Sequence, residues 1–174
     1  HRATVVSPND YPKFLKWLPF EDSVIKYDLQ NQQALRFIKE ADLIFTLDFN
    51  SLSRVGDMSV ILEKSSAQFV MIDHHQQPDD YAVVTYSDVT ICATCQMVYH
   101  TIEMLGDKDL IDADIATCLY TGIMTDTGSF RFRSTSSLTH TVIASLIEKG
   151  ADNAFIHEQI YDANSFSRMQ LLGT

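Results

Sequence analysis

An aspartate and two histidines directly follow one apolar segment of the sequence. Residues 69–72 are apolar, and Asp73, His74 and His75 come next. Carboxylate and imidazole groups can bind metal ions or transfer protons. In open α/β sheets the carboxyl ends of the strands form the rim where ligands bind. We therefore interpret the triplet as part of a site at such a rim, with a polar loop and an incidental histidine pair as the alternative.

Two more aspartates interrupt apolar segments. Asp48 follows the apolar residues 43–47, and Asp126 lies within residues 122–128, which read Gly-Ile-Met-Thr-Asp-Thr-Gly. Helical spacing puts Asp126 on a face of apolar or small residues, which predicts a carboxylate directed towards the interior that needs a partner or a cation. The alternatives are a turn or N-cap role for Asp48 and a helix end before a glycine turn for Asp126.

Together these side chains could form most of a dinuclear metal site. Carboxylates with an imidazole suit Mn²⁺ or Mg²⁺, with Zn²⁺ as an alternative, and two such ions can activate water for displacement at phosphorus. Asp73 could hold one imidazole by a hydrogen bond. His75, if it is not a ligand, could donate a hydrogen bond or a proton to a phosphate or a leaving group.

The hydrophobic pattern predicts alternating strands and helices, and hence an α/β fold with a parallel sheet. Residues 43–47 form a continuous apolar run, which predicts a strand buried on both faces. From residue 88 onwards the pattern is mostly helical. The predicted strands are 3–6, 24–27, 43–47, 69–72 and 82–86. The predicted helices are 31–40, 56–65, 94–105, one that begins at 112 or 113 and runs towards 125, one that begins at 136 or 137 and ends at 149–150, and 152–161.

Composition limits the class of protein. The 174 residues suffice for one domain, and the net charge of −10 disfavours a protein that binds long duplex nucleic acid. The sequence shows no membrane-spanning segment and no signal peptide. The odd number of cysteines (Cys92, Cys95 and Cys118) predicts a reducing, cytoplasmic compartment. We interpret them as packing residues, with a zinc or redox role as the alternative.

Three motifs in order resemble the DHH phosphoesterase family: Leu47-Asp48, then the Asp-His-His triplet, then residues 121–130. The resemblance is closest to the branch of oligoribonucleases (nanoRNases), 3′-phosphoadenosine-5′-phosphate phosphatases and exopolyphosphatase-related proteins. It implies that Asp48 bridges two Mn²⁺ ions and that His74 and Asp126 bind one of them. It also implies that His75 faces the substrate phosphate.

The resemblance gives supporting roles to two other residues. Asp73 would be a catalytic residue that supports the metal ligands without binding the metal itself. Arg54 would contact phosphate, and a surface salt bridge is the equal alternative for it.

The family's first motif, a His-x-x-Pro-Asp-x-Asp-like stretch, does not occur in this sequence. We therefore expect residues 1–174 to form a DHH domain without its first motif and without the family's C-terminal substrate-binding domain. The parent protein is expected to be an active phosphoesterase, and the 174-residue piece alone to be inactive or nearly so.

Three functions remain open at this point. The first is a manganese-dependent phosphoesterase that cleaves short oligonucleotides or a small phosphorylated nucleotide by attack of metal-activated water. The second is a degenerate, non-catalytic nucleotide-binding module of the same fold. The third is a pyrophosphatase or exopolyphosphatase. No membrane partner is expected, and a homodimer is left open.

Overall fold

The structure, a computed structural model, describes residues 3–162 and confirms the predicted α/β class, with parallel sheets and a mostly helical second half. The strands are β1 (Val6–Ser7), β2 (Ile25–Lys26), β3 (Leu43–Leu47), β4 (Gln68–Asp73) and β5 (Val84–Ser87). The α-helices are α1 (Asn31–Glu40), α2 (Ser59–Glu63), α3 (Thr94–Met104), α4 (Ala113–Asp126), α5 (Ser137–Glu148) and α6 (Asn153–His157).

Two parallel sheets carry the strands. One pairs β1 with β2, and the other has the order β3-β4-β5. In the second sheet Leu47 pairs with Ile72 and Asp73 pairs with Ser87. The carboxyl ends of β3 and β4 therefore lie side by side, and the residues that follow them, Asp48 and His74, emerge at the same edge.

The predicted helix over residues 56–65 was too long. The chain forms a 3₁₀ segment at Leu52–Met58, and the α-helix covers Ser59–Glu63 alone. The reason is Gly56, whose backbone angles (φ 58°, ψ −135°) are not helical. Met58 and Leu62 nevertheless face the interior.

The core has two parts. One lies against the sheet and is formed by Ile38, Val55, Met58, Leu62 and Phe69. The other lies among α3, α4, α5 and α6, where the buried aliphatic side chains include Leu119, Ile123, Leu146 and Ile156. The site residues lie where the sheet meets this helical half, because α3 packs on β4.

The prediction that residues 43–47 are buried on both faces was wrong. Thr46 is buried, but the relative solvent exposure of Leu43, Phe45 and Leu47 is 46%, 53% and 45%. The physical reason is that β3 is an edge strand of its sheet, and among residues 3–162 no element covers the side chains of its outer face. Parallel sheets normally have both faces covered.

All three cysteines are free, and Cys92 is buried. Burial, with a smaller effect of the charges of Asp48 and Asp126, raises the pKa of Cys95 to about 12. Cys95 is therefore a neutral thiol at physiological pH, whereas metal binding and redox chemistry need the thiolate. Its sulfur packs against Gly122, so that α3 and α4 lie in close contact. These observations support a packing role.

Candidate metal centre

The loop after β3 fixes Asp48 in an uncommon conformation. Its φ is 67°, in the left-handed region that few residues other than glycine, asparagine and aspartate adopt. Its backbone N–H donates to the carbonyl of Ile72 at 3.2 Å. The hydroxyl of Thr94, the first residue of α3, donates to Asp48 Oδ1 at 2.8 Å. The carboxylate is thereby held between the sheet and α3.

Asp73 is the last residue of β4 and is fully buried. Its carboxylate accepts the backbone N–H of His75 and also His75 Nδ1–H, both at 2.8 Å. A carboxylate can only accept, so Nδ1 of His75 carries the proton and Nε2 is left for other contacts. Asp73 thus orients His75 from within the protein and does not face the cleft.

His74 is oriented in a similar way by a carbonyl group. Its Nδ1 donates to the carbonyl of Ile91 at 3.1 Å, which leaves the Nε2 lone pair directed elsewhere. Nε2 lies 3.6 Å from Asp48 Oδ1 and 3.6 Å from Asp126 Oδ2. These separations are too long for hydrogen bonds. A lone pair therefore faces two carboxylates, an arrangement that a cation between the three groups would stabilise.

Asp126 is the last residue of α4, and its placement corrects the prediction of an interior carboxylate. Its side chain keeps 42% of its exposure because the helix ends there and opens into the cleft. Partial burial raises the pKa of Asp126, the charge of Asp48 raises it further, and His74 and His75 oppose the rise. The cleft therefore carries uncompensated negative charge.

Asp48, His74 and His75 offer ligand atoms that lie within 4.8 Å of one another. Asp126 reaches the same place, since its Oδ2 lies 3.6 Å from His74 Nε2. Oxygen and imidazole donors of this kind fit a divalent cation such as Mn²⁺, Mg²⁺ or Zn²⁺. The predicted residues are thus brought together, with His75 beside them.

Arg54 lines an open cavity of about 740 Å³ together with Tyr27, Asp28 and Gly56, and Asp48, His74 and Asp126 do not line that cavity. Its contact with a phosphate stays a prediction. Thr94, by contrast, touches Asp48 and was missed by the sequence reasoning. The one available signal was its place at the start of a predicted helix that follows the triplet.

The comparison with protein families decides the classification. The N-terminal domain of the DHH family matches residues 9–123, a range that includes Asp48, Asp73, His74 and His75. The chain belongs to the DHH family. Asp126 lies three residues beyond the matched range.

Solved structures and curated proteins resemble this DHH domain. A crystal structure of an exopolyphosphatase-related protein from Bacteroides fragilis is 39% identical with a TM-score of 0.95, and the match covers 98% of this chain and 50% of that chain. The bifunctional oligoribonuclease and PAP phosphatase NrnA of Thermus thermophilus is 30% identical, over 87% of this chain and 42% of the relative. The cyclic-di-AMP phosphodiesterase PdeA of Listeria monocytogenes is 27% identical, over 78% of this chain and 21% of the relative.

The DHH domain described here therefore spans half or less of the length of these relatives. Among residues 3–162, no helix has both the length and the apolar composition that a membrane crossing requires.

Proposed function

We propose that this chain is the metal-binding domain of a phosphoesterase that hydrolyses short oligonucleotides or a small phosphorylated nucleotide, with Mn²⁺ as its metal. The observation that carries the proposal is the position of His74 Nε2, 3.6 Å from both Asp48 and Asp126. The ligands would be Asp48, His74 and Asp126. Among residues 3–162 no Lys or Arg is paired with either of the two carboxylates, so the group forms a site for an external cation.

Divalent cations bound there would activate a water and stabilise the attacking and leaving oxygens of the phosphate. The chain's own residues orient the reacting groups. Thr94 fixes the carboxylate of Asp48, and Asp73 fixes the ring of His75. Because Nδ1 is held by Asp73, a second proton on the ring of His75 would sit on Nε2. In that doubly protonated form Nε2 would donate a hydrogen bond to a phosphate oxygen or its proton to the leaving oxygen.

We further propose that the rest of the protein completes the site. Three ligands are too few for two metal ions, and the outer face of β3 presents Leu43, Phe45 and Leu47 to solvent. A preceding segment that carries the family's first motif would supply ligands and cover this face. A C-terminal domain would supply the main substrate contacts, in keeping with the greater length of the relatives.

The test is hydrolysis by the full-length protein of a diadenylate, of 3′-phosphoadenosine-5′-phosphate and of pyrophosphate. Each reaction is run with Mn²⁺, with Mg²⁺, with Zn²⁺ and with chelator. We expect turnover of a nucleotide substrate with Mn²⁺, loss of turnover with chelator, and little or no turnover by residues 1–174 alone. Turnover that persists in chelator would overturn the metal assignment, and substantial turnover by residues 1–174 would overturn the incomplete-site proposal.

The second candidate is a pyrophosphatase or exopolyphosphatase, favoured by the similarity to the exopolyphosphatase-related protein. Hydrolysis of pyrophosphate or polyphosphate with none of the nucleotides would select it. Binding of nucleotides without any turnover by the full-length protein would select the non-catalytic module.

A further inference from the structure

The segment immediately after Asp126 forms an unusual turn. Gly128, Ser129 and Phe130 have φ values of 56°, 60° and 63°, so three successive residues are left-handed. For the two non-glycine residues this conformation is sterically unfavourable. The turn is held by the Ser129 hydroxyl, 3.0 Å from His157 Nε2, and by Phe130, whose ring packs edge-on against Tyr120 at 5.7 Å.

This turn brings Phe132 back against Gly128, two residues after Asp126. The backbone N–H groups of Arg131 and Phe132 both donate to the carbonyl of Thr127, at 3.0 and 3.1 Å. The phenyl ring of Phe132 lies across the Cα atom of Gly128, where an added Cβ would meet ring carbons at 2.7 Å. Gly128 is two residues beyond Asp126, so their Cα atoms are no more than about 7.6 Å apart.

Phe132 is nevertheless 56% exposed among residues 3–162. A large aromatic side chain held at a fixed place with one face in solvent is suited to stacking against a planar ligand. Phe130, two residues earlier, packs inwards against Tyr120 and His140. The two phenylalanines of this segment thus differ: Phe130 packs inwards, and the exposed Phe132 lies against Gly128, two residues beyond Asp126.

Two arginines flank the exposed ring. Arg131 and Arg133 are both exposed, and neither forms an ion pair with a carboxylate of residues 3–162. Residues 113–162 contain one other Lys or Arg, Lys149, which is paired with Asp109. Arg131 Nε also donates to the carbonyl of Gly128 at 2.7 Å, which fixes its guanidinium against the turn. Free cations at this place complement an anionic ligand in an otherwise acidic chain.

We propose that Phe132, Arg131 and Arg133 form a nucleotide subsite, in which Phe132 stacks on a base and the two guanidinium groups contact the phosphates or hydroxyls next to the scissile bond. This inference rests on the proposed function and adds to it a selectivity for substrates that carry a base. Aromatic stacking adds affinity for a base without strong sequence preference, which suits an enzyme for short oligonucleotides.

The test compares two substrates of the full-length protein with Mn²⁺: a diadenylate, and its abasic counterpart with the same sugars and phosphodiester. For Phe132→Ala we expect KM for the diadenylate to rise about tenfold while kcat stays within about twofold. KM for the abasic substrate should not change. Phe132→Tyr should retain the wild-type KM because it keeps the ring. Phe20→Ala, at an exposed phenylalanine outside the subsite, is the matched control.

The cationic part of the subsite has its own variant. Arg133→Gln should raise KM for both substrates severalfold, with an effect that shrinks as salt is added. Lys64→Gln, which removes an exposed cation of α2's C-terminal end, should leave both KM values unchanged. An Arg133→Gln variant with unchanged KM would overturn the assignment of Arg133 to the subsite.

A second measurement separates this inference from the proposed function. A phosphorothioate-linked dinucleotide that contains 2-aminopurine reports stacking by fluorescence quenching without turnover. Quenching by the wild type that Phe132→Ala loses would support the subsite even if no ester is hydrolysed. A diadenylate that is hydrolysed equally well by the wild type and Phe132→Ala would overturn the subsite and leave the phosphoesterase intact. Equal losses on the diadenylate and the abasic substrate would also overturn it, since they would show a merely structural role.

Discussion

Glu21 and Asp126 are carboxylates in opposite electrostatic surroundings. Glu21 Oε1 lies 2.7 Å from Lys26 Nζ and 3.0 Å from Lys16 Nζ, and these hydrogen bonds lower the pKa of Glu21 to about 2. Asp126 has no such partner among residues 3–162. Burial and the neighbouring Asp48 raise its pKa. One cluster is neutralised by the chain itself, and the other is left for a ligand to neutralise.

The difference shows which of the 23 acidic residues deserve a functional interpretation. An acidic side chain with its own lysines stabilises the fold and has little remaining attraction for an external cation. Acidic side chains that repel each other destabilise the metal-free protein, and this is typical of functional sites. Four carboxylate-to-amide substitutions test the contrast, because each removes a charge with almost no change of shape.

The largest effect is expected for Asp48→Asn. Asparagine also adopts the left-handed conformation and can still accept the Thr94 hydrogen bond, so the fold should be kept. The loss of one ligand charge should lower kcat of the full-length protein by a factor on the order of 10³. The measurement is turnover of a diadenylate over a range of Mn²⁺ concentrations. Wild-type turnover in this variant would remove Asp48 from the metal centre.

The second effect is expected for Asp73→Asn, which leaves every assigned metal ligand in place. The amide cannot reproduce both hydrogen bonds to His75, so the imidazole loses its fixed tautomer and orientation. Residues that orient a site in this way typically contribute about 10- to 100-fold. We expect kcat to fall by that factor with the Mn²⁺ requirement retained. Asp79→Asn, at an exposed aspartate after the triplet, is the control and should behave as wild type.

The third effect is on stability, and here the substitution should stabilise the fold, whereas most substitutions destabilise it. A raised pKa means that ionised Asp126 destabilises the metal-free fold as pH rises through that pKa. Asp126→Asn should therefore raise the melting temperature of the chelated protein at pH 7 and have no effect well below the usual aspartate pKa. Thermal unfolding at both pH values is the measurement. A lower melting temperature at pH 7 would contradict the repulsion described above.

The smallest effect is expected for Glu21→Gln. A lowered pKa means that Glu21 stabilises the fold above its ordinary pKa of about 4.5, and this contribution is lost as pH falls through about 2. The variant should melt slightly lower than wild type at pH 7, and the two curves should converge in acid. Asp22→Asn, at an exposed residue outside the ion pairs, is the control. At pH 7 the melting temperature should fall for Glu21→Gln and rise for Asp126→Asn, and these opposite changes test the contrast most strongly.

Much of the site was predictable from local sequence, because apolar segments that end in Asp48 and Asp73 predict neighbouring strand ends in a parallel sheet. Solvent exposure was less predictable. The exposed face of β3 depends on which elements lie beside it, and the exposed carboxylate of Asp126 depends on where α4 ends. The contact of Thr94 with Asp48 joins residues 46 positions apart, and no local pattern encodes it. The same holds for the cavity that Arg54 lines.

The close contact at Gly122 has a consequence for the evolution of this domain. Helix α3 carries the hydroxyl that holds one ligand, and α4 carries another ligand at its end, so the separation of the two helices sets the width of the cleft. That separation depends on the sulfur of Cys95 resting against a residue without a side chain. Lineages that acquire alanine at position 122 are therefore expected to carry a smaller residue at position 95 as well.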